Sequence, residues 1–140
     1  MVLDTSVLVA AIRSRRGASF ELLTLLGAGA FKVAVSVALV LEYESSLLRH
    51  SAASALSEQD IRDLVDYVCE VAIHQEIFFL WRPFLRDLND DSVLELAVSA
   101  RCDAVVTHNI RDFAGADKVG VRVITPGKFL YELRGHKWVP

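Results

Sequence analysis

Residues 2–12, VLDTSVLVAAI, set an acid between two apolar runs. Residues 1–3 are short and uninterrupted, as a buried strand is, and residues 7–12 resume the apolar pattern as a helix leaving that strand. Working outward, residues 13–17 form a basic loop, and Phe20, Leu22, Leu23 and Leu26 recur at helical spacing up to Gly27 and Gly29. A second short strand follows at residues 31–35. Ser36 is placed to cap a long helix reaching about His50. Ser57 with Asp60 three residues on resembles a capping box, and Ile61, Leu64, Val65, Val68 and Val71 then repeat at helical spacing. Residues 77–81 read as a third strand. Asp90 or Asp91 opens a further helix whose apolar face is Leu94, Ala97 and Val98. Residues 104–107 and 121–124 are β-branched strands, and residues 129–133 a final helix after Pro126-Gly127. Strands alternating with helices predict an α/β fold with a parallel sheet covered on both faces. In such sheets chemistry gathers outside the carboxyl ends of the strands.

Composition agrees with this pattern. The chain has 140 residues, 53% hydrophobic and 24% charged, enough for one compact domain over 1–140 with a continuous core. No run approaches the roughly 18 uncharged apolar residues of a membrane span, so no membrane association is expected. The opening MVLDTS has no basic region ahead of a cleavable apolar stretch, which makes the cytoplasm the expected compartment. Fifteen Lys and Arg against eighteen Asp and Glu leave a charge of -3, so any nucleic-acid contact must be local. Cys69 and Cys102 lack the spacing of a zinc or redox pair and read as ordinary thiols.

The acids carry the chemical information. Asp4 stands where a buried strand ends, a costly place for a charge unless a cation or strong donors meet it; capping the next helix is the structural alternative. Glu42 lies mid-helix with Ala38, Ser45 and Ser46 among its neighbours, small side chains that leave room for a ligand. Asp87, Asp90 and Asp91 cluster before an apolar helix, more acids than a cap requires, with Asp91 nearest the buried face. Thr107, His108 and Asn109 end a second strand, and Asp112 follows. Acids from separate elements brought to one place repel unless cations neutralise them. Mg²⁺ or Mn²⁺ does so with carboxylate and water ligands, in a manner suited to phosphodiester hydrolysis.

Five blocks, VLDTSVLVAAI, LEYESSLL, DLNDDSVLELA, VVTHNIRDF and VRVITPGKFL, occur in the order seen in PIN-domain ribonucleases. The chain most closely resembles the VapC-like toxins of bacterial toxin-antitoxin pairs. The resemblance implies a three-layer α/β/α PIN-like domain with a central parallel sheet and a Mg²⁺- or Mn²⁺-dependent endoribonuclease site. It matches Asp4, Glu42, Asp91 and Asp112 to the family's acids and Asn109 to an auxiliary metal ligand. Ser6 and Asn109 depart from the Asn and Asp that many members carry, and Asn109 brings one negative charge fewer. The resemblance further implies an RNA substrate, a cognate antitoxin protein and a homodimer.

Other readings remain in view. A catalytically weak PIN-like module that binds a partner protein or RNA fits the Asn109 departure and the acidic charge. A phospho-acceptor domain of the receiver type is disfavoured, because nothing pairs Lys128 with an acidic pocket. His50, His74, His108 and His136 share no ligand spacing, with His108 closest to the proposed site. Arg13, Arg15 and Arg16 read as a solvated turn ahead of a phosphate contact, and Phe78, Phe79, Trp81 and Phe84 as core or subunit-contact residues.

Overall fold

A computed structural model describes residues 1–77 and 88–135. Strand β1 (Val2–Leu3) leads into α1 (Thr5–Arg13), followed by α2 (Ala18–Gly27), β2 (Ala34–Val35) and α3 (Val37–Arg49). Then come α4 (Glu58–Val71), β3 (Ile73–His74), α5 (Leu88–Ser99), β4 (Ala104–Val106), β5 (Arg122–Ile124) and α6 (Pro126–Leu133). Among the described residues all the strand pairs are parallel: β1 with β4, β4 with β5, and β2 with β3. The Ala34 N–H donates to the Met1 carbonyl at 2.9 Å, which lays β2 along the other edge of β1. The ladders form a three-stranded sheet, β1-β4-β5, and a two-stranded one, β2-β3, and this bond sets them side by side in the order β3-β2-β1-β4-β5. Every residue of β1 and β4 is buried. Strands without a solvent face need helices on both sides, and this is the mixed α/β fold that the alternating pattern predicts.

Local signals explain the helix starts. Ser36 accepts from the Leu39 N–H at the head of α3, and Ser57 and Asp60 form a reciprocal capping box on α4. Thr125 accepts from the Lys128 N–H, with Pro126 opening α6. Gly27 ends α2 in contact with α4. A Cβ there would stand 1.8 Å from the Tyr67 hydroxyl, so a larger residue would force that side chain to shift.

Two elements differ from the sequence pattern. Among the described residues the third strand is Ile73–His74, a segment the pattern did not mark; of the strand expected at residues 77–81, residues 78–81 lie outside the described residues, as do Asp87, Phe84 and His136. Both residues of β3 are exposed and are held by backbone bonds from Ile73 N to Val33 O and from Gln75 N to Val35 O. A two-residue edge strand directly after a helix leaves no alternation to read. Helix α5 is buried nearly all round: Val93, Leu94, Leu96 and Ala97 are in the core, and so is Glu95, at 4% exposure. The apolar face read from Leu94, Ala97 and Val98 is therefore only part of the buried surface.

Candidate active site

The strand order reverses at the boundary of β1 and β4, since the chain runs from β1 out to β2 on one side and from β4 out to β5 on the other. Such a switch point leaves a crevice at the carboxyl ends of the two central strands. Asp4 follows β1 there and Thr107 follows β4.

Asp4 occupies the N-cap position of α1, yet its side chain makes no capping hydrogen bond. It is 7% exposed, and its Oδ2 accepts instead from Thr107 Oγ1 at 2.7 Å and from Ser6 Oγ at 2.8 Å. Each hydroxyl also accepts a backbone N–H of the loop after β4: Asn109 on Thr107 at 3.0 Å and His108 on Ser6 at 3.2 Å. Two relays thus converge on one oxygen. They hold the carboxylate in one orientation and, among the described residues, leave Oδ1 with no hydroxyl donor, the arrangement expected when a carboxylate is aimed at something other than its own helix.

The crevice opens as a cavity of about 610 Å³ between α1 and α3, closed at its floor by the strand ends. Asp4, Glu42, Asp90 and Asn109 line it, together with Ser6 and His108. Of the residues proposed from sequence, Asp4, Glu42 and Asn109 therefore share one cavity. Asp91, 6% exposed, is not part of the lining, and its neighbour Asp90 is. Because α5 begins at Leu88, consecutive aspartates in its first turn lie about 100° apart around the helix, and they meet different surroundings. Asp112 is exposed on the 3₁₀ turn Ile110–Phe113, whose Phe113 is buried, and it too is absent from the lining. Among the described residues no three His, Cys, Asp or Glu side chains come close enough to hold a metal ion by themselves.

Sequence reasoning missed two features. Thr5 Oγ1 and Glu95 Oε1 are buried without a hydrogen-bond partner among the described residues, and Thr5 lines the cavity beside Asp4. Glu95 sits in VLELAV, where an acid flanked by four aliphatic residues was the available signal. His108, the histidine expected nearest the site, does line the cavity, and its Nε2 lies 2.9 Å from the Oγ of buried Ser19 on α2. Cys69 is half-buried, and its thiol is pushed up by burial and then by the charge of Asp66, so it is not an activated thiolate.

Tyr43, one residue past Glu42, is 1% exposed and donates its hydroxyl to the carbonyl of Leu3, directly before Asp4. Burial holds its phenol well above the ordinary value of 10.0, and the charges of Asp4, Glu42 and Cys69 push the same way. The proton is therefore held more tightly in the folded state. Stability from this group is complete below the ordinary value and falls as the pH rises above it, because the unfolded chain then ionises first. Tyr43→Phe is expected to cost about 1–3 kcal/mol at neutral pH, by stranding the Leu3 carbonyl, and to flatten the alkaline decline. Urea melts of both proteins from neutral to strongly alkaline pH measure this. Parallel pH curves for the two proteins would assign the decline to other groups.

No curated protein and no solved structure gives a significant match to this chain. The family model described as the PIN domain matches residues 1–111, which include both central strands and the acids around the crevice, and PIN domains are generally nucleases. The chain belongs to the PIN domain family.

Proposed function

We propose that this PIN domain is a divalent-metal-dependent endoribonuclease and the toxin of a toxin-antitoxin pair. One observation carries the reading: carboxylates from α1's cap, α3 and α5 line a single open cavity at the strand switch point, with Asp4 held by two hydroxyl donors on Oδ2. The donors around the cavity are hard oxygens, Asp4, Glu42, Asp90 and the Asn109 amide, which suits Mg²⁺ or Mn²⁺ held by one or two carboxylates and completed by water. Asp91 and Asp112, outside the lining, would then act through charge or through the position of their neighbours. Such an ion supplies an activated water and neutralises charge on the phosphate. The protein's own part is to orient Asp4 through Ser6 and Thr107 and to concentrate negative charge at the strand ends. Single-stranded or loop RNA is the substrate class, a short cognate antitoxin the partner, and a homodimer in the cytoplasm the working form.

Purified protein is expected to cleave single-stranded RNA with Mn²⁺ or Mg²⁺ and to lose that activity in excess chelator. Cleavage that persists in chelator would overturn the metal mechanism. Growth arrest on expression, relieved by the product of the neighbouring upstream reading frame, tests the toxin role.

A second reading is a catalytically weak module that binds RNA or a partner protein. It is favoured by the absence, among the described residues, of three acids in ligating proximity, and by Asn109 in place of an acid. RNA binding without metal-stimulated cleavage is its signature.

A further inference from the structure

The cavity is not uniformly acidic. Its α1 wall is built from Ser6, Val9, Ala10 and Arg13, one helical face, and its α3 wall from Glu42 and Ser46, with His50 just past the helix end. Asp4 stands at the strand-end floor and the start of α1, whereas Arg13 ends that helix and the His50 imidazole, whose Nδ1 donates to the Ser46 carbonyl at 2.7 Å, follows the end of α3. Arg49 donates to Ser46 Oγ at 2.8 Å but lines a separate cavity with Leu41 and Glu44. Small side chains, Ala10 and Ser46, are among those lining the walls. Eight residue steps of α1 separate Thr5 from Arg13, about 12 Å along the helix axis.

On this geometry we infer that the groove between α1 and α3 is a polarised track for single-stranded RNA, in which Arg13 binds a phosphate flanking the scissile one. This rests on the nuclease reading of the acidic end. A charged backbone entering an acidic pocket is repelled unless a cation elsewhere holds it, and the net charge of the protein provides no such attraction. Arg13 is exposed on the groove wall and presents a planar fork matched to phosphate. Ala10 and Ser46 leave room for the sugar and base between the two phosphates. Arg15, by contrast, lines a separate cavity with Phe20 and Tyr67, and Arg16 lines neither. The structure thus singles out one arginine of the basic loop. Arg13 acts as a substrate-positioning residue and not as a catalytic one. Stabilising the end of α1 through the helix dipole is the purely structural role it must be separated from.

The test uses a fluorescein-labelled oligouridylate of about twelve nucleotides, long enough to fill a single-strand groove. Its binding is followed by anisotropy in chelator across a salt series. Arg13→Gln is expected to weaken binding about tenfold and to reduce the slope of log K against log salt by about 0.7, the loss of one phosphate contact. Arg13→Lys should restore the slope but not the full affinity, and Arg16→Gln should change neither. In cleavage assays with Mn²⁺, Arg13→Gln should raise KM for the oligomer with kcat retained. Unchanged affinity and slope in Arg13→Gln, or an equal loss in Arg16→Gln, would overturn the track while leaving any metal-dependent cleavage to stand. Arg13-dependent binding without metal-dependent cleavage supports the track and overturns the nuclease. Failure of the wild-type protein to bind the oligomer at low salt overturns both.

Discussion

Asp4→Asn is expected to reduce metal-dependent RNA cleavage by at least about a hundredfold while leaving the fold intact. The asparagine carbonyl can still accept from Ser6 and Thr107, so the junction of β1, α1 and the loop after β4 keeps its bonds. The amide nitrogen then faces the cavity where a carboxylate oxygen stood, and both a charge and an acceptor are lost there. Ion binding reports this independently of turnover. An ion held only by the folded state at about one hundred times its Kd stabilises the protein by about 2.7 kcal/mol. For a chain of this length that is a Tm increase of roughly 10 °C. Mn²⁺ should raise the Tm of the wild-type protein by this order and that of Asp4→Asn far less. Equal shifts together with equal cleavage would return Asp4 to a purely structural role. That role is already narrowed, because the residue occupies the cap position without making a cap bond.

The second large effect is structural and concerns the loop that carries Asn109. Phe113 is 1% exposed at the end of the 3₁₀ turn Ile110–Phe113, and it is the only aromatic side chain of that turn. Phe113→Ala removes its packing and leaves a cavity, at a cost of about 3–5 kcal/mol. At roughly 3–5 °C per kcal/mol, thermal melts should show a Tm lower by more than about 10 °C. Asp112→Ala on the same turn should change stability by less than about 0.5 kcal/mol, since Asp112 is exposed. A small effect of Phe113→Ala would mean that the turn after β4 is not anchored through the core.

Much of this molecule is written locally in the chain. Apolar runs ending in an acid or a polar cluster marked β1 and β4, because a buried parallel strand needs aliphatic residues and stops where polar groups begin. Ser36, and Ser57 with Asp60, announced α3 and α4, because a cap acts within its own first turn. Asp4 and Glu42 stood out as acids in apolar or small-residue surroundings, a cost visible without coordinates.

What the chain could not state locally was decided by contacts across it. Thr107 lies 103 residues from Asp4, and only the pairing of β1 with β4 brings its hydroxyl to Oδ2. The choice of Asp90 over Asp91 for the cavity depends on the rotation of α5 about its axis, which packing sets and helical periodicity alone does not. Glu95 became recognisable as an interior acid only once α5 proved to be buried nearly all round. Arg13 was one of three like residues in a basic loop, and it became distinct when α1 and α3 packed side by side. Sequence by itself determined the elements and the acids, since propensity, capping and the cost of burying charge act within a few residues. The tertiary structure decided which of those acids share a cavity, because that depends on strand order and helix rotation.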